Sequence, residues 1–186
     1  MQEQLDHVDE RFDPRFDAQL ERIREAPADE GRLEFIVRRP PAEGAREILD
    51  EAHLDLVVGL VGDRWAARDD RTPIYMMAQL TLISVRVLAA IEPDRSRWPL
   101  AGDQLFVDFD LSVENLPPGA RLAIGSAVIE ASETPHTGCA KFSARFGSDA
   151  LRWINSPIGR EHRMRGMNAR IVEPGIVRAG DTIRKV

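Results

Sequence analysis

Past Pro93 the chain breaks into short apolar segments, at 104–109, 121–124, 127–133, 168–173, 176–178 and 182–186, each closed off by Gly, Pro or Asp. The turns between them include Leu116-Pro117-Pro118-Gly119 and Glu173-Pro174-Gly175. Strands this short and this closely spaced build a barrel or a sandwich, not a parallel α/β sheet. The second half of the chain is therefore expected to be mainly β, with several helices, an α+β fold class. Two Ala-Gly-Asp triplets, at 101–103 and 179–181, each precede a strand with no longer repeat around them, and read as matching turns.

The helical expectations lie around this β region. Asp13-Pro14 has the form of a helix start, Asp as N-cap and Pro at the first helical position, and Phe16, Leu20 and Ile23 follow at helical spacing. The segment 26–31 breaks that helix, after which Leu33, Phe35 and Val37 alternate with charged residues as in a strand ended by Pro40-Pro41. Residues 43–54 are rich in helix formers, the apolar run 56–61 fits strand or buried helix, and four charged residues at 68–71 mark an exposed loop. The most apolar stretch, 74–91, divides into a strand at 79–84 and a short helix. One helix is expected at 141–154, with Phe142, Phe146, Ala150, Leu151 and Ile154 on one face.

At 186 residues the chain has the size of one domain, here a helical extension at 1–32 and a β-rich domain at 33–186. A formal net charge of -6 argues against a nucleic-acid protein that relies on a basic surface, though Arg outnumbers Lys and leaves room for a local anion site. The polar, acidic start MQEQLDHVDERFD has no apolar signal core, and no window reaches the roughly 18 apolar residues of a membrane span. A single cysteine forms no internal disulfide and suits a reducing compartment, so the expected location is the cytoplasm.

That cysteine lies in the segment with the most chemistry, Glu133-Thr-Pro-His-Thr-Gly-Cys-Ala-Lys-Phe-Ser-Ala-Arg-Phe-Gly147. Pro135 and Gly138 make a turn that can expose a thiol. The expected helix start supplies N–H groups, and Lys141 and Arg145, four residues apart on one face, add positive charge; together they favour the thiolate. A cysteine of this kind serves as a nucleophile or a ligand for a soft metal. A buried structural cysteine beside a solvated basic face fits the same local pattern.

Cys139-Ala-Lys141-Phe142 with Arg145-Phe146-Gly147 resembles the cysteine motif of MOSC domains, named for the C-terminal domain of molybdenum cofactor sulfurase. Further segments match in order: Gly59-Leu-Val-Gly-Asp-Arg-Trp65, Gln79-Leu-Thr-Leu-Ile-Ser84, Gly102-Asp-Gln-Leu105, Asn115-Leu-Pro117, Leu122-Ala-Ile-Gly125, Arg165-Gly-Met-Asn-Ala169 and Val177-Arg-Ala-Gly-Asp-Thr-Ile183. The resemblance runs from about Leu33 to the C-terminus. It implies a β-barrel-like domain whose cysteine faces a pocket. In characterised relatives that pocket holds the molybdenum cofactor (molybdopterin), with the cysteine sulfur on molybdenum and basic and polar residues on the pterin phosphate. Such relatives reduce N-hydroxylated compounds. The chain has no room for the sulfurase's pyridoxal-phosphate domain and carries no ferredoxin-like cysteine cluster, so electrons would come from a separate donor protein. One departure is that His136-Thr137-Gly138 precedes the cysteine where relatives with reductase activity often carry Pro.

On this resemblance Cys139 and His136 are the catalytic candidates, His136 as a tuner of the thiol or a proton donor. Lys141, Arg145, Arg165, Asn168 and Arg64 are candidates for holding the cofactor, and Arg71 and Arg163 are further cations able to grip an oxyanion. Gln79, Thr81 and Ser84 are read on one side of their strand, as polar contacts if that face lines the pocket. Asp63 reads as a turn residue, and His53 and His162 have no partners at metal-ligand spacing. Three roles follow: a molybdenum-dependent oxidoreductase module acting on a small-molecule substrate, a sulfur carrier that takes a Cys139 persulfide from a sulfur donor, and a non-catalytic interaction domain. In the last, the N-terminal extension docks a partner or, as a homodimer, a second copy.

Overall fold

The computed structural model describes residues 14–42, 44–67 and 72–186; the expected N-cap Asp13, the loop at 68–71 and the candidate Arg71 lie outside them. Eleven strands are described in chain order: β1 (Glu30–Arg38), β2 (Glu47–Leu49), β3 (Glu51–Asp55), β4 (Gly59–Leu60), β5 (Leu80–Ser84), β6 (Leu105–Asp108), β7 (Arg121–Ile124), β8 (Ala127–Ala131), β9 (Met167–Glu173), β10 (Gly175–Arg178) and β11 (Thr182–Lys185). The main sheet runs β11-β7-β8-β9-β5-β6-β1-β2, and β11 also pairs with β1, so seven strands close into a barrel with β2 attached at its rim. Among the described strands of this sheet only β5 and β6 pair in parallel; the other ladders are antiparallel. A smaller sheet, β10-β3-β4, stands beside it.

Period-two side-chain alternation sorts the apolar residues into two cores. In β5, Leu80 and Leu82 point into the barrel with Leu105 and Val107 of β6, while Ile83 and Phe106 face the helices. Strand β1 does not keep the simple alternation expected of Leu33, Phe35 and Val37. Its register on β6 shifts between Leu33 and Phe35, so Leu33 and Ile36 both enter the barrel, and Val37 turns to the helical side. One extra residue at such a bulge reverses which positions face inward.

Six α-helices are found among the described residues: α1 (Pro14–Arg24), α2 (Pro73–Met76), α3 (Val85–Ile91), α4 (Ala140–Phe146), α5 (Ser148–Asn155) and α6 (Pro157–Glu161). Helix α1 is not a loose appendage, since Phe16 is buried and stacks on Trp153 of α5 at 4.7 Å, with Ile23 in the same core. The single helix expected at 141–154 is two. Gly147, at φ +93, ends α4 and opens α5, a conformation that L side chains resist. The helix formers at 43–54 give β2 and β3 instead of a helix: Ala52 and Leu54 are buried between exposed Glu51 and His53, and pairing with β10 overrides local propensity. Of the apolar run 56–61 only Gly59 and Leu60 are strand, because Asp55 accepts hydrogen bonds from the N–H groups of Val57 and Val58 and turns the chain. No helix of the described residues is long and apolar enough to cross a membrane.

Candidate functional site

Cys139 is the N-cap residue of α4 and its side chain is exposed, which removes the buried structural reading. Its thiol is held below the ordinary range first by the backbone N–H of Phe142; burial, the next effect, opposes this, and the N–H of Lys141 and the charges of Arg165 and Lys141 add to the lowering. The geometry therefore favours a thiolate, the form that attacks electrophiles and ligates metals.

Two asparagines hold the loop that leads to the thiol. Asn155 of α5 accepts from the Gly138 N–H at 2.9 Å and donates to the Gly138 carbonyl at 3.2 Å, and a Cβ on Gly138 would press within 2.6 Å of Leu151 Cδ1. Asn168 of β9 donates to the carbonyls of Thr134 and Pro135 at 3.1 and 3.3 Å. The amide N–H groups of Asn168, a cofactor-holding candidate, are engaged by the loop. Asn155 was missed by the sequence reading, since its role depends on α5 folding back over Gly138.

Beneath the loop lies a buried ion pair. Arg165 donates to both oxygens of Asp103 at 3.1 and 2.8 Å and to the Ala101 carbonyl at 3.1 Å, and its guanidinium sits 5.1 Å over the Phe142 ring. His136 Nδ1 lies 3.5 Å from Asp103 Oδ1, buried and without a hydrogen-bond partner. Burial first, then the Arg165 charge, push the His136 pKa down to about 4, against the pull of Asp103. At neutral pH the ring is uncharged. A neutral imidazole keeps one N–H donor and one acceptor nitrogen, so both expected roles, tuner of the thiol and proton donor, are compatible with it.

The same Leu100–Asp103 turn collects further cations. Arg145 donates to the Leu100 carbonyl at 2.6 Å and Arg39 to the Gly102 carbonyl at 2.8 Å. Arg39 is aimed by Asp63, whose fully buried carboxylate accepts from Arg39 Nη2 at 2.7 Å, from Arg39 Nε and backbone N–H, and from the Trp65 N–H. Gly102 has φ +89, and a Cβ there would lie 3.8 Å from Arg145 Nη1 and 3.9 Å from Arg46 Nη2, so two guanidiniums converge over a bare backbone. Arg46 has a buried Nε with no partner, and burial, followed by repulsion from Arg64, Arg145 and Arg39, weakens its hold on its proton. Cationic side chains crowded in this way are relieved by an anion. Arg39 and Arg46 were not singled out from sequence, because three separate segments meet only at this turn.

The remaining candidates fall elsewhere. Lys141 is exposed beside Cys139, and exposed Arg64 borders the arginine cluster. Gln79 is buried, donates to the Leu56 carbonyl and accepts from the Ile171 N–H, while Thr81 donates to Gln104; both knit strands together and do not face the cysteine. Ser84 does not share their side and instead caps α3 through the Arg86 N–H. Among the described residues no group of three or more His, Cys, Asp or Glu side chains could hold a metal ion.

A barrel carrying an exposed, anion-favoured cysteine next to a cluster of arginines agrees with what the MOSC domain model matches over residues 62–184. The chain belongs to the MOSC domain family. This MOSC domain is similar in fold to the YuaD protein from Bacillus subtilis (16% identity, 83% of this chain and 94% of that one, TM-score 0.56). It is similar also to YiiM from Escherichia coli (22%, 83% and 69%, TM-score 0.55) and YiiM from Geobacillus stearothermophilus (14%, 84% and 75%, TM-score 0.59). No curated protein sequence matches the chain. At these identities the structural likeness concerns the fold.

Proposed function

We propose that this MOSC domain binds the molybdenum cofactor with Cys139 as the molybdenum ligand and forms the catalytic module of a reductase of N-hydroxylated or otherwise oxidised small molecules. The observation that carries the reading is the exposed Cys139 thiol, held toward thiolate by the Phe142 and Lys141 N–H groups and by Arg165, within one site with the arginine cradle over Gly102. The residues fit the cofactor by their chemistry: a thiolate suits a metal that accepts sulfur ligands, and Arg145, Arg46 and Arg64 suit a phosphate, for which the unpartnered Arg46 Nε is a free donor.

When bound, the cofactor would supply a redox-active metal that delivers two electrons, turning an N–OH group and two protons into N–H and water. The protein's own work is to present the Cys139 sulfur, to neutralise the phosphate, and to keep an uncharged His136, with one N–H donor and one acceptor nitrogen, near the site. Electrons would come from a separate donor protein. The test is reduction of an amidoxime by the cofactor-loaded protein with reduced methyl viologen as donor; turnover is expected in wild type and its absence in Cys139→Ser, and equal rates in the two would overturn the reading. The exposed, low-pKa thiol also suits a persulfide carrier, which intact mass would reveal as one added sulfur lost in Cys139→Ser.

A further inference from the structure

The loop that presents Cys139 also closes a cavity of about 450 Å³, whose wall includes residues 132–137 and does not include Cys139. Its surface is largely apolar, contributed by Val113, Pro118, Pro135, Ile154 and Met167, and into this wall is set Arg163. Three features make Arg163 unusual. It is the one non-glycine residue with positive φ among the described residues, at +43, a strained conformation of the kind that collects at functional sites. It is half-buried, and one nitrogen, Nη1, donates to the Leu111 carbonyl at 3.3 Å, the Leu116 carbonyl at 2.7 Å and Met167 Sδ at 3.3 Å, all uncharged acceptors. No carboxylate pairs with it among the described residues, and burial alone lowers its pKa. The neighbouring cation Arg165 is neutralised by Asp103, whereas Arg163 is not.

A half-buried guanidinium with no counter-charge is costly unless something neutralises it. The carbonyls of Leu111 and Leu116 fix Nη1 but carry no charge; the same wall holds exposed Arg160, Arg165 paired with Asp103, and the exposed carboxylate of Glu133, which makes no ion pair with Arg163. We propose that this cavity is a binding site for a small organic anion with a flat apolar body, its carboxylate on Arg163 and its body against Pro118, Ile154 and Met167. The cavity adjoins the Cys139 region and shares with it the cysteine loop together with Asn155, Arg165 and Asn168. Anion binding on Arg163 requires no molybdenum.

The probe is 2-naphthoate, with the uncharged 2-naphthamide as control, titrated by calorimetry against the full chain without added molybdenum. Wild type is expected to bind naphthoate saturably, at one site, at least tenfold more tightly than naphthamide. Arg163→Gly removes the cation at a backbone angle that glycine accepts, and is expected to weaken naphthoate at least tenfold while leaving naphthamide unchanged; Arg163→Lys is expected to retain most of the naphthoate binding. Should Arg163→Gly fail to fold, Val113→Phe, at an exposed wall position, narrows the cavity and is expected to weaken binding of both probes at least tenfold. Cys139→Ser is expected to bind naphthoate as wild type does. Equal affinity for naphthoate and naphthamide, no saturable binding, binding unaffected by Val113→Phe, or loss of binding in Cys139→Ser would each overturn the proposal.

Discussion

Replacing Asp103 by Asn tests whether the site is organised by its buried ion pair. The Asp103 carboxylate is wholly buried and accepts two hydrogen bonds from Arg165 Nη1, at 3.1 and 2.8 Å. The amide keeps the shape and one acceptor oxygen but removes the charge and sets an NH2 group against Arg165, leaving the guanidinium without a counter-ion beside the Ala101 carbonyl and the Phe142 ring. Breaking a buried pair from one side costs about 3–5 kcal/mol, because the remaining charge is uncompensated. With a urea slope of about 2 kcal/mol/M, the unfolding midpoint should fall by about 2 M. Arg165→Met strands the carboxylate and should cost a similar amount. The double variant leaves no lone charge, so the two costs should fall short of additivity by about 2 kcal/mol or more in a urea double-mutant cycle. Costs that add within about 0.5 kcal/mol, or a single variant costing less than about 1 kcal/mol, would refute the reasoning.

The Cys139 thiol should titrate below the ordinary cysteine range in the pH dependence of iodoacetamide alkylation, and Arg165→Met, which removes one cause, should move that titration upward. For His136 the folded pKa of about 4 lies below the ordinary histidine value of 6.5, so the unfolded chain binds the extra proton first. Stability should be fully present above about pH 6.5 and decline by about 3 kcal/mol as pH falls to 4, and His136→Gln should flatten that slope in urea melts taken across the window. Gly166 has φ +104, and a Cβ there would meet the Leu82 carbonyl oxygen at 2.2 Å, so Gly166→Ala should cost more than about 2 kcal/mol in a thermal or urea melt, where an unchanged midpoint would count against the geometry.

Much of the barrel was legible because its strands are short and bounded by Gly, Pro and Asp: residues 121–124 match β7, and β6, β8, β9, β10 and β11 lie within two residues of their expected limits. Where local signals were ambiguous, long-range pairing decided. Residues 43–54 carry helix formers, yet β3 exists because β10, more than a hundred residues later, offers it a partner. The break at Gly147 and the start of α6 were readable and missed, the latter in Ser156, which accepts from the Gly159 N–H and is followed by Pro157 at the first helical position. At the site, the position of Cys139 at a helix start was visible in the sequence, since Pro135, Gly138 and the apolar face beyond it are local. The cradle over Gly102 was only half visible: Arg64 and Arg145 stand in recognisable motifs, whereas Arg39 and Arg46 reach it through Asp63 and the fold of β1 and β2. Gln79 and Thr81 stand in a family motif, and their hydrogen bonds run to other strands of the barrel.

The central claim is that Cys139 and the arginine cradle together hold a molybdenum cofactor. Its most direct test is metal and pterin analysis of the protein purified from cells that make the cofactor, wild type beside Cys139→Ser. The account predicts molybdenum and pterin near one per chain in the wild type and loss of molybdenum in the variant. Wild type reproducibly free of molybdenum, or Cys139→Ser retaining it in full, would contradict it.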